Sequence, residues 1–359
     1  MTRHEMQITE HGGNIYKLAE ALNLPESKVI DFSASINPLG IPKKVNSNLK
    51  KWLLSSCNYP DPDATELREK ISEYHNISPG NILCGNGSTE LIYLIPRALK
   101  PKKVLITAPA FSEYERACRM SYELRVMSYE LKKKNNFGIN HDEFIKSMKG
   151  CDMAFLCNPN NPTGQVVKKD NVLKIADAAK KLKCYFIVDE AFIDFCPDNT
   201  VINNVADNPY LIVLRSMTKF YSLSGLRIGY GVFPLHLIER LKNFKEPWSV
   251  NSLAQKAASA VIGDHVHANN TFKLIEKEKK FLEDNLKNKG IKFFPSDANF
   301  YLLKIKSTRD IVFQLHKKGI LVRDCSNFKG LDSSYIRVAV KSRKDNTLLL
   351  KELSKICRA

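Results

Sequence analysis

The chain has 359 residues, of which 43% are apolar and 26% are charged. At roughly 150 residues per domain, this length predicts two domains with enough apolar sequence for a core. No apolar run approaches the ~20 residues that span a membrane, and residues 1–7 lack the apolar stretch of a signal peptide. These features argue against a membrane partner and favour a cytoplasmic location.

The net charge is +17, from 55 basic and 38 acidic residues. A charge of this size is compatible with nucleic-acid binding, and it also favours encounter with phosphorylated small molecules. The basic residues are interleaved with acidic ones, as in residues 276–284, which is typical of a solvated helix face. We therefore expect no nucleic-acid partner. Nucleic-acid binding is kept as the alternative to an enzymatic function.

The nine cysteines are scattered and form no C-x-x-C pair. In a large chain of this kind, the pattern favours reduced, mostly buried thiols over disulfides or zinc ligands. His265 and His267 form a close pair, with no cysteine or third histidine near them in sequence. We expect no metal site.

The order of segments indicates the fold class. Residues 1–50 are rich in turn formers and contain one short helix, predicted at 15–22. From about residue 80 to 235, short apolar runs alternate with amphipathic segments, the pattern of an α/β protein with a mainly parallel sheet. In such a sheet the functional site lies at the carboxyl ends of the strands. A long helical region at 252–288 then leads into further short strands and helices.

This order predicts a division into two domains. The large α/β domain comprises residues 50–245 and carries the main sheet. The small α+β domain combines residues 1–49 with residues 246–359, and it includes a linking helix. The N-terminal residues are expected to complete this small domain.

A motif centred on a lysine follows the apolar run 211–214, which predicts a buried strand. It contains Ser216, Lys219 and Arg227 within the stretch Ser216-Met-Thr-Lys-Phe-Tyr-Ser-Leu-Ser-Gly-Leu-Arg-Ile-Gly-Tyr230. A lysine amine can hold a phosphorylated aldehyde as a Schiff base, while hydroxyls and a guanidinium bind its phosphate. Alone, Lys219 is better explained as one more surface lysine. The functional interpretation gains weight because other stretches supply the remaining parts of such a site.

A glycine turn in Cys84-Gly-Asn-Gly-Ser-Thr-Glu90 predicts a strand end followed by a helix start. The backbone amides and hydroxyls of Ser88 and Thr89 suit a phosphate. Glu90 stands where a dinucleotide fingerprint needs glycine, which disfavours a Rossmann site. Helix capping by Ser88 explains this stretch equally well.

Two polar side chains follow predicted strands of the main sheet. Asp189 comes directly after a buried run, where a carboxylate must be paired or functional. A buried acid can keep a pyridine nitrogen protonated, which makes the cofactor ring an electron sink. Asn161 lies in Asn158-Pro-Asn-Asn-Pro-Thr-Gly164, whose turn formers place an amide at the carboxyl edge of the sheet. The structural alternatives are a salt bridge or cap for Asp189 and a tight loop around Asn161.

Two arginines belong to predicted strands of the small domain. Arg323 and Arg337 lie at the end of, or within, apolar runs. Arginine in such a position usually meets a planar anion, a carboxylate or a phosphate. For each residue alone, a structural ion pair is an equal alternative.

In their order along nearly the whole chain, these motifs resemble the fold-type I pyridoxal-phosphate aminotransferase superfamily. The resemblance implies a homodimer with shared active sites that binds pyridoxal 5'-phosphate. Lys219 would be the Schiff-base lysine, and Asp189 would pair with the pyridine nitrogen. The other implied cofactor contacts are Asn161 at the ring hydroxyl, Phe111 stacked on the ring, Ser88, Thr89, Ser216 and Arg227 at the phosphate, and Tyr59 from the other subunit. Many relatives carry a tyrosine at position 192 for the ring hydroxyl, and Phe192 cannot make that hydrogen bond.

Two branches of the superfamily share Tyr59-Pro-Asp-Pro62 and Ala298-Asn-Phe300, namely histidinol-phosphate aminotransferases and the threonine-phosphate decarboxylases of cobalamin synthesis. His11-Gly-Gly-Asn14, Asn37-Pro-Leu-Gly40 and residues 189–195 and 214–221 resemble the decarboxylases. In that branch, an N-terminal segment covers the substrate. The implied substrate contacts are His11, Gly12, Ser35, Asn161, Arg323 and Arg337. Ser35 stands where an asparagine is expected, which leaves phosphothreonine and phosphoserine both open.

The resemblance therefore implies a lyase that decarboxylates O-phospho-L-threonine, or O-phospho-L-serine, to an amino-alcohol phosphate for the cobalamin nucleotide loop. Transamination of histidinol phosphate is the alternative. The two reactions differ in which substrate bond stands perpendicular to the cofactor ring, and the motifs do not distinguish these orientations.

Overall fold

The computed structural model describes residues 11–121 and 124–358. Residues 1–7, in which no signal stretch is predicted, lie outside the described residues, as does the beginning of the predicted small domain. The strands are β1 (Ile30–Asp31), β2 (Ile82–Asn86), β3 (Lys103–Ala108), β4 (Arg125–Glu130), β5 (Met153–Cys157), β6 (Tyr185–Asp189), β7 (Leu211–Ser216), β8 (Ile228–Val232), β9 (Lys292–Phe293), β10 (Phe300–Lys304), β11 (Ile320–Leu321), β12 (Arg323–Asp324) and β13 (Tyr335–Ala339).

Helices connect most of these strands. They are α1 (Ile15–Leu22), α2 (Lys43–Leu53), α3 (Thr65–His75), α4 (Gly87–Leu99), α5 (Glu113–Ser121), α6 (His141–Ser147), α7 (Lys169–Leu182), α8 (Leu235–Lys242), α9 (Ser252–Val261), α10 (His265–Asn288), α11 (Thr308–His316) and α12 (Arg343–Arg358).

The largest sheet has seven strands in the order β2-β8-β7-β6-β5-β3-β4. β8 pairs antiparallel with both of its neighbours, and the other pairs are parallel. Carboxyl ends of parallel strands meet at one edge, which brings Cys157, Asp189 and Ser216 together at the ends of β5, β6 and β7. The predicted α/β class with a mainly parallel sheet is confirmed.

Both faces of this sheet are covered, because successive side chains of β5 point alternately into two apolar clusters. Ala154 and Leu156 point into one apolar cluster with Ile175 of α7. Phe155 points into the opposite cluster with Leu91 of α4. Parallel strands buried on both faces are expected to be apolar throughout, and β5 is buried along its whole length.

A smaller antiparallel sheet, in the order β12-β13-β10-β9, is built from residues near the carboxyl end. Beside it, β1 pairs in parallel with β11, which joins the N-terminal part of the chain to the C-terminal part. Within the antiparallel sheet, Arg323 of β12 lies directly opposite Arg337 of β13. Directly opposed residues have neighbouring side chains, so this register brings two guanidinium groups together.

Two predicted segments differ from the structure. Residues 1–50 were expected to hold one short helix, but α2 begins at Lys43 and continues past the predicted domain boundary at residue 50. Its apolar residues recur at helical spacing from Val45 to Leu53, a pattern that the prediction overlooked, and Val45 is the one buried side chain that α2 contributes. The helical region 252–288 is two helices, because Gly263 takes φ +75° and the Asp264 side chain caps α10 at the amide of His267.

Within the described residues, no helix is long and apolar enough to cross a membrane. Among the same residues, no cluster of three or more histidine, cysteine or acidic side chains could hold a metal ion. The side chain of His267 lies instead 3.3 Å from Asn37 Nδ2 and 3.3 Å from the carbonyl oxygen of Phe220.

Candidate active site

One cavity of about 470 Å³ lies at the carboxyl edge of the large sheet, where the small sheet faces it. All of the site residues predicted from the sequence line this cavity except Tyr59. They are His11, Gly12, Ser35, Ser88, Thr89, Phe111, Asn161, Asp189, Ser216, Lys219, Arg227, Arg323 and Arg337. The structure therefore brings together residues from both ends of the chain around Lys219.

Lys219 lies just beyond the end of β7, with its side chain half-buried in the cavity. Burial lowers the pKa of Lys219 to about 8, and the positive charges of Arg337 and Arg227 act in the same direction. The negative charge of Asp189 opposes this shift. An amine with this pKa is partly neutral near pH 7, which is the form that attacks a carbonyl carbon.

Asp189 is buried at the end of β6, and two donors satisfy its carboxylate. Oδ2 accepts a hydrogen bond from the Tyr114 hydroxyl at 2.6 Å, and Oδ1 accepts one from the Ala191 amide at 3.1 Å. Burial raises the pKa of Asp189 above its ordinary value, while these donors and the charge of Lys219 counteract the rise. Burial also raises the pKa of Tyr114 well above its ordinary value, so this phenol stays protonated and remains a donor.

Hydroxyl groups and a guanidinium surround the start of α4. Ser216 Oγ lies 2.7 Å from Thr218 Oγ1. Gly87 has φ +73°, and a Cβ at this position would lie 2.7 Å from Arg227 Nη2, so glycine lets the guanidinium approach the helix start. The amides of the first turn have no carbonyl partner within the helix. Together these groups form a cradle for an anion.

Arg337 connects the two sheets across the cavity. Its Nη1 donates to Asn161 Oδ1, and its Nη2 donates to the carbonyl oxygen of Ser33 at 2.6 Å. The guanidinium also lies over the ring of Phe300, 5.0 Å from its centroid. Burial lowers the pKa of Arg337 to about 10, and the neighbouring Arg323 adds to this effect. Its Nε is buried without a hydrogen-bond partner, so one donor of Arg337 is available to a ligand.

Arg323 is also buried, and it lies opposite Arg337 in the strand register. Its Nη1 donates to the carbonyl oxygen of Asp324, and its Nη2 donates to Asn327 Oδ1 at 2.9 Å. The guanidinium lies 4.9 Å from the ring centroid of Phe328. These contacts fix the orientation of the side chain at the cavity wall.

The N-terminal segment lies at the mouth of the cavity. His11 Nε2 lies 2.9 Å from Glu113 Oε1, and the His11 ring is 5.9 Å from that of Phe111. Gly12 packs against the backbone of Ser33, where a Cβ would lie 2.4 Å from the Ser33 carbonyl oxygen. Glycine is therefore required at position 12 by close backbone approach.

Ser35 is buried, and its Oγ has no hydrogen-bond partner. Its carbonyl oxygen accepts a hydrogen bond from Asn299 Nδ2 at 3.0 Å, which attaches this loop to the small sheet. A buried hydroxyl without a partner is costly unless a ligand or water satisfies it. Ser35 is therefore a candidate ligand contact.

Phe111 and Phe192 are two phenylalanines that the sequence analysis places at the cofactor ring. The edge of Phe111 meets the ring of Tyr114, with centroids 5.7 Å apart. Phe192 lines the cavity, and it packs edge-on against Phe300 at 5.0 Å. As expected from its side chain, Phe192 offers no hydrogen-bonding group at this wall.

Tyr59 lies outside the cavity. Its side chain is 82% exposed, and its ring lies 5.1 Å from that of Trp248. The predicted contact of Tyr59 involves a second subunit, so its role stays a prediction.

Sequence reasoning missed several cavity residues, among them Tyr114, Thr218 and Glu113. Thr218 had a local signal, since it repeats the hydroxyl of Ser216 two positions later. Tyr114 and Glu113 had none, because their partners Asp189 and His11 are distant in the chain. Both residues lie in α5, and nothing in the sequence indicates where this helix points.

The donor set fits pyridoxal phosphate. The Ser216, Thr218 and Arg227 groups beside the start of α4 match a phosphate dianion. Lys219 offers an amine of lowered pKa. Burial raises the pKa of the Asp189 carboxyl, and a cation bound beside it would lower that pKa again.

A family model described as aminotransferase class I and II matches residues 27–353. The chain therefore belongs to the class I and II aminotransferase family. It is 36% identical, over 351 residues and 96% of each chain, to the threonine-phosphate decarboxylase of Salmonella typhimurium. It is 33% identical over 362 residues to the adenosylcobalamin biosynthesis bifunctional protein CobDQ of Leptospira interrogans, covering 98% of this chain and 41% of that protein.

The chain is also similar to the solved structure of the histidinol-phosphate aminotransferase from Clostridium acetobutylicum. The TM-score is 0.86 at 31% identity, over 92% of this chain and 99% of that chain. The predicted fold type and the predicted resemblance to threonine-phosphate decarboxylases are confirmed by these similarities.

Proposed function

We propose that this chain is a pyridoxal-phosphate-dependent lyase that decarboxylates O-phospho-L-threonine to an amino-alcohol phosphate. The full-length similarity to a threonine-phosphate decarboxylase supports this proposal. The similarity to CobDQ supports a role in building the nucleotide loop of cobalamin.

The facing pair Arg323 and Arg337 is the observation that carries the proposal. The two residues are directly opposed across an antiparallel strand pair, and both are buried at the wall of the Lys219 cavity. Like charges that lie directly opposite each other repel, and an anionic ligand at this wall would offset that repulsion. An amino acid that carries a phosphate on its side chain as well as its carboxylate could neutralise both guanidiniums.

When bound, pyridoxal phosphate supplies an aldehyde for the substrate amine and a protonated pyridine ring that accepts the electron pair left as CO2 departs. Asp189 would hold the proton on the pyridine nitrogen, supported by the hydrogen bond from Tyr114. Ser88, Thr89, Ser216 and Arg227 would hold the cofactor phosphate. Asn161 would contact the ring hydroxyl, and Phe111 would stack on the ring.

Lys219 would first bind the cofactor aldehyde through its amine. The Lys219 side chain lines the cavity, and its lowered pKa suits proton transfer there. Lys219 would then deliver a proton to the substrate carbon that has lost CO2. Arg323 and Arg337 would bind the two anionic groups of the substrate, with His11, Gly12, Ser35 and Asn161 around them.

The proposal includes a cytoplasmic homodimer in which Tyr59 reaches the cofactor phosphate of the other subunit. The exposed aromatic pair of Tyr59 and Trp248 supports it, because paired aromatics at a surface favour protein contact. Sedimentation of the purified protein should give twice the chain mass. A monomeric protein with full activity would contradict this part of the proposal.

A product assay on cofactor-loaded protein tests the reaction. Incubated with O-phospho-L-threonine alone, the enzyme should release CO2 and aminopropanol phosphate without any keto acid. A parallel incubation with O-phospho-L-serine measures the preference for the methyl group. The alternative is transamination, which the similarity to a histidinol-phosphate aminotransferase favours. Glutamate formed from histidinol phosphate and 2-oxoglutarate, with no CO2 from phosphothreonine, would overturn the lyase in favour of that alternative.

A further inference from the structure

Arg215 is a buried cation beside the cofactor-binding edge of the sheet, and the proposed reaction does not use it. Successive residues of a strand point to opposite faces, so Arg215 of β7 points away from the cavity that its neighbour Ser216 lines. Its exposure is 4%, and β7 lies inside the large sheet, between β6 and β8. A guanidinium in this position is costly unless acidic groups pair with it.

Two carboxylates pair with this guanidinium. Nη1 donates to Glu190 Oε2 at 3.1 Å, and Nη2 donates to Asp194 Oδ1. The Glu190 side chain is fully buried, and that of Asp194 is 12% exposed. Burial opposes the charged form of Arg215, but the negative charges around it, that of Asp194 above all, raise the pKa of Arg215 above its ordinary value. Arg215 therefore stays charged inside the sheet.

Glu190 is also held by contacts other than this ion pair. Its Oε2 accepts a hydrogen bond from Thr200 Oγ1 at 2.6 Å, and its Oε1 accepts one from the Val201 amide at 2.9 Å. The Glu190 amide donates to the carbonyl oxygen of Leu214 at 2.8 Å, which joins the end of β6 to β7. Arg215 thus meets an acid whose position is already fixed.

The ion pair lies next to residues of the proposed cofactor site. Glu190 follows Asp189 in the chain, and Arg215 precedes Ser216. Asp189 and Ser216 line the cavity, whereas Glu190 and Arg215 do not. Lys219 comes four residues after Arg215, where the chain has left the sheet. The end of β7 that Arg215 holds is therefore the base of the turn that carries Lys219.

Stability alone does not explain a buried ion pair at this place, because apolar side chains of the same volume often stabilise a protein equally well. What a guanidinium adds is direction, since its planar fork meets two acceptors at fixed angles. Here the acceptors belong to Glu190, directly after β6, and to Asp194, a few residues later. The fork therefore sets the end of β7 relative to the segment that follows β6.

We propose that Arg215 is a positioning residue whose ion pair with Glu190 fixes the end of β7 and so places Lys219 for attachment of the cofactor. This inference rests on the proposed function, in which Lys219 holds pyridoxal phosphate. Because Arg215 does not line the cavity, it acts through its neighbours in the chain.

Removal of both charges tests the proposal. Arg215→Met combined with Glu190→Gln leaves no buried charge unpaired at this contact, and only the partly exposed Asp194 loses a partner. We expect this double variant to keep a denaturant midpoint close to that of the unaltered protein but to bind pyridoxal phosphate about tenfold more weakly, within the range for residues that act on a site without touching its ligand. Titration followed by the cofactor absorbance measures the dissociation constant.

Two further readouts distinguish positioning from folding. In the cofactor-free double variant, amide hydrogen exchange in residues 216–222 should accelerate about tenfold, while exchange in α10 stays unchanged. In the loaded enzyme, kcat should fall about tenfold and KM for O-phospho-L-threonine should change less than about twofold, because other elements form the proposed substrate wall. A double variant with both normal stability and normal cofactor affinity would show that the pair serves the fold alone, and would overturn the proposal.

The pair of Arg343 and Glu278 is the matched control. Glu278 is buried in α10, and its Oε2 lies 3.0 Å from Arg343 Nε at the start of α12. Neither residue lines the cavity. Arg343→Met combined with Glu278→Gln should bind pyridoxal phosphate as the unaltered protein does. An equal loss of affinity in this control would overturn the assignment to Arg215.

Arg215→Lys covers the case in which the double variant does not fold. It keeps the charge but loses the planar fork, and it should weaken cofactor binding about threefold. Normal affinity in this variant would then overturn the proposal. If the unaltered protein binds pyridoxal phosphate but releases no CO2 from phosphothreonine, the lyase assignment fails while the affinities and exchange rates still test the role of Arg215.

Discussion

The two walls of the cavity are built in different ways. The proposed cofactor wall comes from strand ends of one sheet, where the hydrogen-bonded register places Asp189 opposite Leu214, two residues before Ser216. The proposed substrate wall combines His11 and Ser35 with Arg323 and Arg337, from opposite ends of the chain. A register of buried strands is rigid, whereas loops and short strands can vary without loss of the sheet. The relatives of this chain carry the names of two different reactions, which variation at the substrate wall alone could produce.

The largest effect is expected at the centre of the cofactor wall. Lys219→Ala should lower kcat by about four orders of magnitude or more, because the covalent attachment and the proton carrier are both lost. The bound-cofactor absorbance should change with it, while the unfolding midpoint stays close to that of the unaltered protein. Lys183→Ala, at a surface lysine that ends α7, is the control. Substantial residual turnover in Lys219→Ala would contradict the assignment.

A change on the substrate wall should act mainly on binding. Arg337→Lys keeps the charge but loses the planar group that contacts Asn161 and Ser33. We expect kcat/KM for phosphothreonine to fall about a hundredfold, mostly through KM, with the cofactor absorbance retained. Steady-state kinetics with both substrates would measure this. Loss of cofactor binding would show that the two walls are not independent.

A substitution at Tyr114 tests whether the hydrogen bond from this residue to Asp189 contributes to catalysis. Tyr114→Phe removes the hydrogen bond to buried Asp189, and bonds to charged groups contribute about 1.5–3 kcal/mol. The pKa of Asp189 should rise further, and kcat should fall about tenfold to a hundredfold. The pH dependence of the cofactor absorbance reports the same change without turnover. Tyr129→Phe, at an exposed phenol near Asn140, is the control and should leave both readouts in place.

The fold and the cofactor wall could be largely predicted from the sequence, because their signals are local. Apolar runs followed by polar residues indicated strand ends, and parallel strands bring such ends to one edge. Helix α2 also had a local signal that the prediction overlooked, because its apolar residues recur at helical spacing from Val45 to Leu53. The contacts of Tyr114 with Asp189 and of Glu113 with His11 depend on how helix α5 is oriented. Tertiary packing sets that orientation, and no spacing in the sequence records it.

The lowered pKa of Lys219 predicts a pH dependence of cofactor capture. In the cofactor-free protein the amine is protonated below a pKa of about 8 and neutral above it. Capture of pyridoxal phosphate should therefore accelerate about tenfold between pH 7 and pH 9 and level off above that. Stopped-flow absorbance would follow the rate. A rate that keeps rising to pH 10.5 would show that Lys219 has an ordinary pKa.

The smallest effect concerns the methyl group that separates phosphothreonine from phosphoserine. Ser35 is buried at the substrate wall, and its Oγ has no partner. Ser35→Asn fills part of the cavity with a larger side chain, which should disfavour the substrate with the extra methyl. Pockets discriminate single methyl groups only modestly, so we expect the kcat/KM ratio of phosphothreonine to phosphoserine to fall about threefold. Competition between the two substrates measures this ratio directly. An unchanged ratio would mean that Ser35 does not contact the part of the substrate that carries the methyl group, and the choice between the two substrates would then depend on the arginine pair and His11.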